Sequence, residues 1–265
     1  MAVSRLIDGL MQKSPTIDGE GGALATVGRA EVFGRLQKQK AFDGSHPVGF
    51  LCALTEENMV LVGILLVSGF ALIAVESVGY VRGGYNSAFW RLPLDDKLDH
   101  VEEHRRDWWW ISIWSLVGLF TVGGGLFGFT PLLADGGEPV LAYVALGGFV
   151  ISVLGWVLGV AIQAAAISEA SKQRVESGGT PEWIHPFWNL AFLLEVFWIV
   201  GSNIAFALIG IAILETGVVA DWAGWVALIG GAVTAVVVLV LRDGFPQLGI
   251  LIPAVIGVAL LIEAA

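Results

Sequence analysis

Residues 188–214, WNLAFLLEVFWIVGSNIAFALIGIAIL, decide the fold. Glu195 is the only charged residue in the run. At about 1.5 Å of rise per residue, a helix of this length reaches roughly 40 Å. The hydrocarbon core of a bilayer is about 30 Å thick and needs about 20 apolar residues to cross. The run is therefore read as a membrane span, and the rest of the chain is read around it.

Five more runs qualify on the same terms, at about 59–81, 109–133, 140–167, 219–241 and 245–263. In chain order, 188–214 is the fourth. Composition agrees: 56% of the 265 residues are hydrophobic, only 14% are charged, and mean hydropathy is +0.77. Soluble domains carry about 25% charged residues. The expected fold is all-α: a six-helix transmembrane domain over 57–265, preceded by an amphipathic tail over 1–56. In that tail Val3, Leu6, Ile7, Leu10 and Met11 form a helical stripe broken by the prolyl turn at 14–16, with a second helical stretch over about 23–41. The tail would lie on the membrane surface or dock on a partner. It has no apolar run long enough for a signal peptide.

A net charge of −10 argues against nucleic acid as a partner. Cys52, the single cysteine, allows no intrachain disulfide and no thiolate metal cluster. The expected partners are the lipid bilayer and either further copies of the chain or other membrane subunits.

Lysine and arginine gather in alternate loops. Arg82, Arg91, Lys97, Arg105 and Arg106 lie between the first and second spans, Lys172 and Arg174 between the third and fourth, and Arg242 between the fifth and sixth. The positive-inside rule then places these loops in the cytoplasm and both termini outside, in a multi-pass protein of the cell membrane.

Glycine is abundant, at 35 residues. In the third span Gly148, Ser152, Gly155, Gly159 and Gln163 share one face, the pattern of close helix contact in lipid. Gly123–Gly125 in the second span and Pro253 in the sixth are candidate helix breaks. A weak internal repeat relates Trp114, Gly123 and Asp135 to Trp222, Gly231 and Asp243, and the string FALI at 70–73 to its copy at 206–209. Two units of three spans would form an inverted repeat, as in many transporters.

The spans contain no lysine, arginine or histidine, but away from their end residues they hold two glutamates. Glu76 lies near the end of the first span and Glu195 near the start of the fourth, at one depth on one side. Gln163 shares that depth, and Ser202 and Asn203 continue from Glu195 towards the middle of the fourth span. An ionisable residue in a span costs about 2.5 kcal/mol or more and marks a function or a partner. A desolvated carboxyl with no cation beside it reaches neutrality by taking up a proton or a metal cation. Glu76, Gln163, Glu195, Ser202 and Asn203 thus form the candidate transport site for protons or cations. The bland alternative is two glutamates hydrogen-bonded to neighbouring helices.

The stretch DHVEEHRRDWWW, 99–110, raises a metal question. His100, Glu103 and His104 match the inverted zinc-protease string H-x-x-E-H, but no large soluble domain accompanies them. His185 lies on the same side of the membrane and completes the set of metal candidates, His100, Glu103, His104 and His185. The favoured reading is an interfacial helix that starts at Pro93, runs on into the second span and ends in an aromatic belt at Trp108–Trp110. On that reading no metal is bound. With no lysine or histidine in a span, no retinal or bis-histidine haem is expected, and no cofactor motif is present. No catalytic residue stands out. Transport leads; an accessory or scaffold subunit of a larger membrane complex is the alternative.

Overall fold

The computed structural model describes residues 56–241 and 246–265. The expected tail, apart from Glu56, lies outside these residues, as does Arg242.

Among the described residues nine α-helices follow one another: α1 Glu56–Arg82, α2 Ser87–Arg91, α3 Leu94–Glu103, α4 Arg105–Gly136, α5 Pro139–Ile162, α6 Ser168–Ser177, α7 Ile184–Thr216, α8 Asp221–Leu241 and α9 Pro246–Glu263. A π-helical turn over Gln163–Ile167 joins α5 to α6. Among the described residues, five stretches are long and apolar enough to cross a membrane: α1, α4, α5 with its extension through α6, α7 and α8. The sixth expected span is α9, an apolar helix of 18 residues. The fold is an all-α bundle of the membrane kind.

The ends of the helices follow from local chemistry. The Asn86 side chain accepts from the backbone N–H groups of Ala88 and Phe89, capping α2. Pro139 opens α5, where its missing N–H costs nothing. Gly178 and Gly217 end α6 and α7 at φ of 72° and 61°, a region that L side chains enter only with strain.

The long helices pack as a ring in the order α1, α4, α5, α7, α8, α9 and back to α1. Three crossings are made by facing glycines. A Cβ on Gly118 of α4 would meet the Gly69 carbonyl of α1 at 3.0 Å. Gly63 and Gly257 stand likewise between α1 and α9, and Gly210 and Gly224 between α7 and α8. Lipid tails are as apolar as leucine, so helices gain by close backbone approach rather than by apolar burial. The face of α5 predicted for contact makes it: Ser152 packs on Gly201, Gly155 on Phe197 and Gly159 on Leu194, all of α7. Phe129, Phe149, Phe206, Leu66, Ile213 and Ile256 fill the interior. Ile64, Phe120, Phe127, Leu158, Leu193 and Val240 stand exposed around the outside, a surface suited to lipid and not to water.

The structure departs from expectation in several places. The helix from Pro93 does not run into the second span. It breaks at His104, whose backbone leaves the helical region at φ −111°, ψ 31°. The break lets α3 fold back over the end of the bundle, where Leu98 and Val101 are buried with Tyr85, Phe89, Ile167, Ala170 and Ile184 in a second core. Trp108 belongs to that core and donates to the Gln163 carbonyl at 3.0 Å, so it is no belt residue. Of the expected trio only Trp109 is exposed; Trp110 is half-buried and donates to the Val75 carbonyl. Neither Gly123–Gly125 nor Pro253 breaks its helix. Gly125 instead receives Leu66 of α1, and the neighbouring helix supplies the packing that glycine lacks. The discontinuity is the π-turn in the third span. Finally, the glycines matched by the repeat have unlike surroundings. Gly231 meets the α7 backbone at Asn203 and Ala207, whereas Gly123 has only the Phe149 ring, at 3.8 Å. The ring order is compatible with two three-helix units, but these contacts are not duplicated.

Candidate functional site

Glu76 is buried in the bundle at 6% exposure, six residues before the end of α1. Tyr80 is one turn further along the same helix face. The hydroxyls of Tyr80 and of Ser115, on α4, both face the Glu76 carboxyl as hydrogen-bond partners. The Ser115 oxygen in turn accepts the indole N–H of Trp156, from α5, at 2.9 Å. Ser115 and Trp156 are themselves buried. The chain of contacts has one direction: the indole can only donate, which leaves the serine proton for the carboxyl.

Glu195 enters from α7. It is half-buried, and its carboxyl is close enough to act electrostatically on both Glu76 and Tyr80. Four helices, α1, α4, α5 and α7, thus contribute to one polar patch inside an apolar bundle. It offers two carboxyls, two hydroxyls and an indole. Such a patch can bind a proton, pass it between oxygens or cradle a small cation.

Of the five residues expected to form the transport site, Glu76 and Glu195 lie near enough for their charges to interact. Gln163 starts the π-turn, and its backbone carbonyl holds Trp108. Ser202 and Asn203 lie deeper along α7, and Asn203 serves a different junction. Ser202 donates to the Ile199 carbonyl at 3.2 Å, and the Asn203 amide donates to the same carbonyl at 2.7 Å. Asn203 packs on Gly249 of α9 and Gly231 of α8, and its buried Oδ1 has no hydrogen-bond partner among the described residues. Sequence reasoning missed Tyr80, Ser115 and Trp156. Tyr80 was detectable, four residues after Glu76 on its face. Ser115 and Trp156 were not, because their meeting depends on how α4 and α5 are rotated.

Below this patch the loops rich in lysine and arginine fold into a cap. Arg82 binds Asp107 at 2.5 Å and lies over the Trp110 ring, 5.3 Å from its centre. Arg174 reaches Asp99 at 3.3 Å, and Ser171 donates to Glu102 at 2.9 Å, tying α6 to α3. Burial pulls the Lys97 ammonium below the usual lysine range, and its Nζ sits 5.3 Å from the centre of the Trp188 ring. Burial, helped by the nearby Asp107 charge, raises the Tyr85 phenol above the usual tyrosine range. Tyr85 therefore stays protonated and donates to the His104 carbonyl at 3.3 Å.

The histidine cluster is also real as geometry. His100, Glu103 and His104 each offer a ligand atom, all within 4.8 Å of one another. His185 is exposed in the first turn of α7 and is not part of this group. Both ring histidines are half-buried rather than projecting into water.

No family model, curated protein or solved structure matches the chain.

Proposed function

We propose that the protein moves protons or small cations across a membrane, with Glu195 as the exchanging group and Glu76 as its fixed partner. The observation that carries this reading is that the two carboxyls lie inside the bundle near enough for their charges to interact, with Tyr80 and Ser115 offering hydroxyls to Glu76 and no lysine, arginine or histidine in the apolar runs 59–81, 109–133, 140–167 and 188–214. Two such acids are costly for a purely structural contact, which two apolar residues of similar size would make more cheaply. Glu76, held by two hydroxyls, is the fixed partner. Glu195, half-buried and with no such pair among the described residues, is the one that exchanges.

Reconstitution into proteoliposomes tests this. The expected result is proton- or cation-driven flux in the natural protein and its abolition by Glu195→Gln, which keeps the shape and removes the titrating group. Melting of the variant should be nearly unchanged. Wild-type vesicles that pass no ion under either a pH or a cation gradient would overturn the proposal. In that case, co-purification with a second membrane protein would support the accessory-subunit reading instead.

A further inference from the structure

We propose that His100, Glu103 and His104 form a binding site for a divalent transition-metal ion of the zinc type, in the polar cap and separate from the acidic pair. Convergence is the first reason: one ligand atom from each residue lies within 4.8 Å of the other two. A two-histidine, one-carboxylate set suits zinc and its neighbours, and it leaves a position open to water.

The second reason is the protonation pattern, which is independent of that convergence. The His100 Nε2 stands 2.6 Å from the Gly83 carbonyl, and the His104 Nδ1 stands 3.3 Å from the His100 carbonyl. A carbonyl only accepts, so both of these nitrogens carry the proton. The lone pairs are then left on Nδ1 of His100 and Nε2 of His104. Metal-binding histidines are held in this way, with the far N–H donated to a backbone carbonyl.

The third reason is rigidity. The two imidazoles stack at 4.5 Å, and the Tyr85 ring meets His100 edge-on at 5.2 Å. Phe89 closes the side at 5.3 Å. The rings are thus oriented before any ion arrives. His104 also ends α3, where the negative end of the helix dipole favours a cation. Glu103 is exposed and makes the site reachable from water.

The test is zinc titration by calorimetry on the full chain in detergent, near neutral pH and without a histidine tag. Cobalt(II) serves as the spectroscopic probe. One equivalent per chain is expected, with cobalt absorption of a low-coordinate nitrogen and oxygen site. Glu103→Gln and His104→Gln should each weaken zinc by more than about tenfold, since loss of even an outer partner of a metal-bound ligand costs about that much. His185→Gln and His46→Gln should leave it unchanged. Glu103 is exposed, so its variant reports on the site even if the histidine variants fail to fold. The proposal is overturned by the absence of saturable one-to-one binding, by zinc affinity that survives Glu103→Gln, or by affinity lost on His185→Gln. Because the readout is metal binding, it stands or falls apart from any ion flux.

Discussion

Ser115 joins two buried partners, and removing its hydroxyl should expose that double role. In Ser115→Ala the Trp156 N–H loses its acceptor at 2.9 Å and the Glu76 carboxyl loses one of its two hydroxyls. Hydrogen bonds between membrane helices are worth about 0.6 kcal/mol on average and at most about 1.7. Two such losses, with a buried indole N–H left unpaired, total about 1–3 kcal/mol. Trp156→Phe removes only the first bond and keeps the ring, and should cost about 1 kcal/mol beyond any packing change. The double variant has no orphaned indole, so it should cost less than the sum of the singles. The coupling should be about 0.5–1.5 kcal/mol, as for residues in one network. Equilibrium unfolding in mixed detergent micelles, followed by far-ultraviolet circular dichroism, measures all four forms. Strict additivity would show that Ser115 and Trp156 do not share a bond in the membrane, and the polar patch as drawn would be wrong.

Two further outcomes follow from the packing and the loops. Gly118→Val should push α1 from α4, because the added Cβ would meet backbone atoms at Ile73 and Gly69 that cannot yield; overpacking of this kind costs about 1–3 kcal/mol, read as a lower unfolding midpoint in the same micelles. In a Cys52→Ser background, cysteines placed at 135 and 174 should be labelled by impermeant reagents from opposite sides of the membrane, with 174 on the cytoplasmic side; the reverse pattern would mean that the six lysines and arginines of residues 1–40 set the orientation.

Much of the candidate site was legible in one dimension. Glu76 and Glu195 are conspicuous because an apolar span tolerates few charges, and helix length alone puts them at one depth. The partners that give the pair its chemistry were not legible. A serine and a tryptophan in a span are ordinary residues until the rotation of each helix is known. Ser202 and Asn203 show the converse error. They follow Glu195 on its helix, but they lie about two turns deeper, where Asn203 packs on α8 and α9 and Ser202 bonds within α7.

Length and apolarity by themselves determined the all-α bundle, the spans, the glycine-lined face of α5 and the gathering of cations in alternate loops. These depend on transfer from water to lipid, which acts residue by residue. The structure alone decided the ring order, the break at His104, the burial of Trp108 in the cap, the unbroken course of α4 through Gly123–Gly125, and the chain of contacts from Trp156 through Ser115 to Glu76. Each of these depends on which neighbour a side chain meets. Between helices equally apolar all round, that choice is made by close packing and hydrogen bonds across the bundle, and neither leaves a period in the sequence.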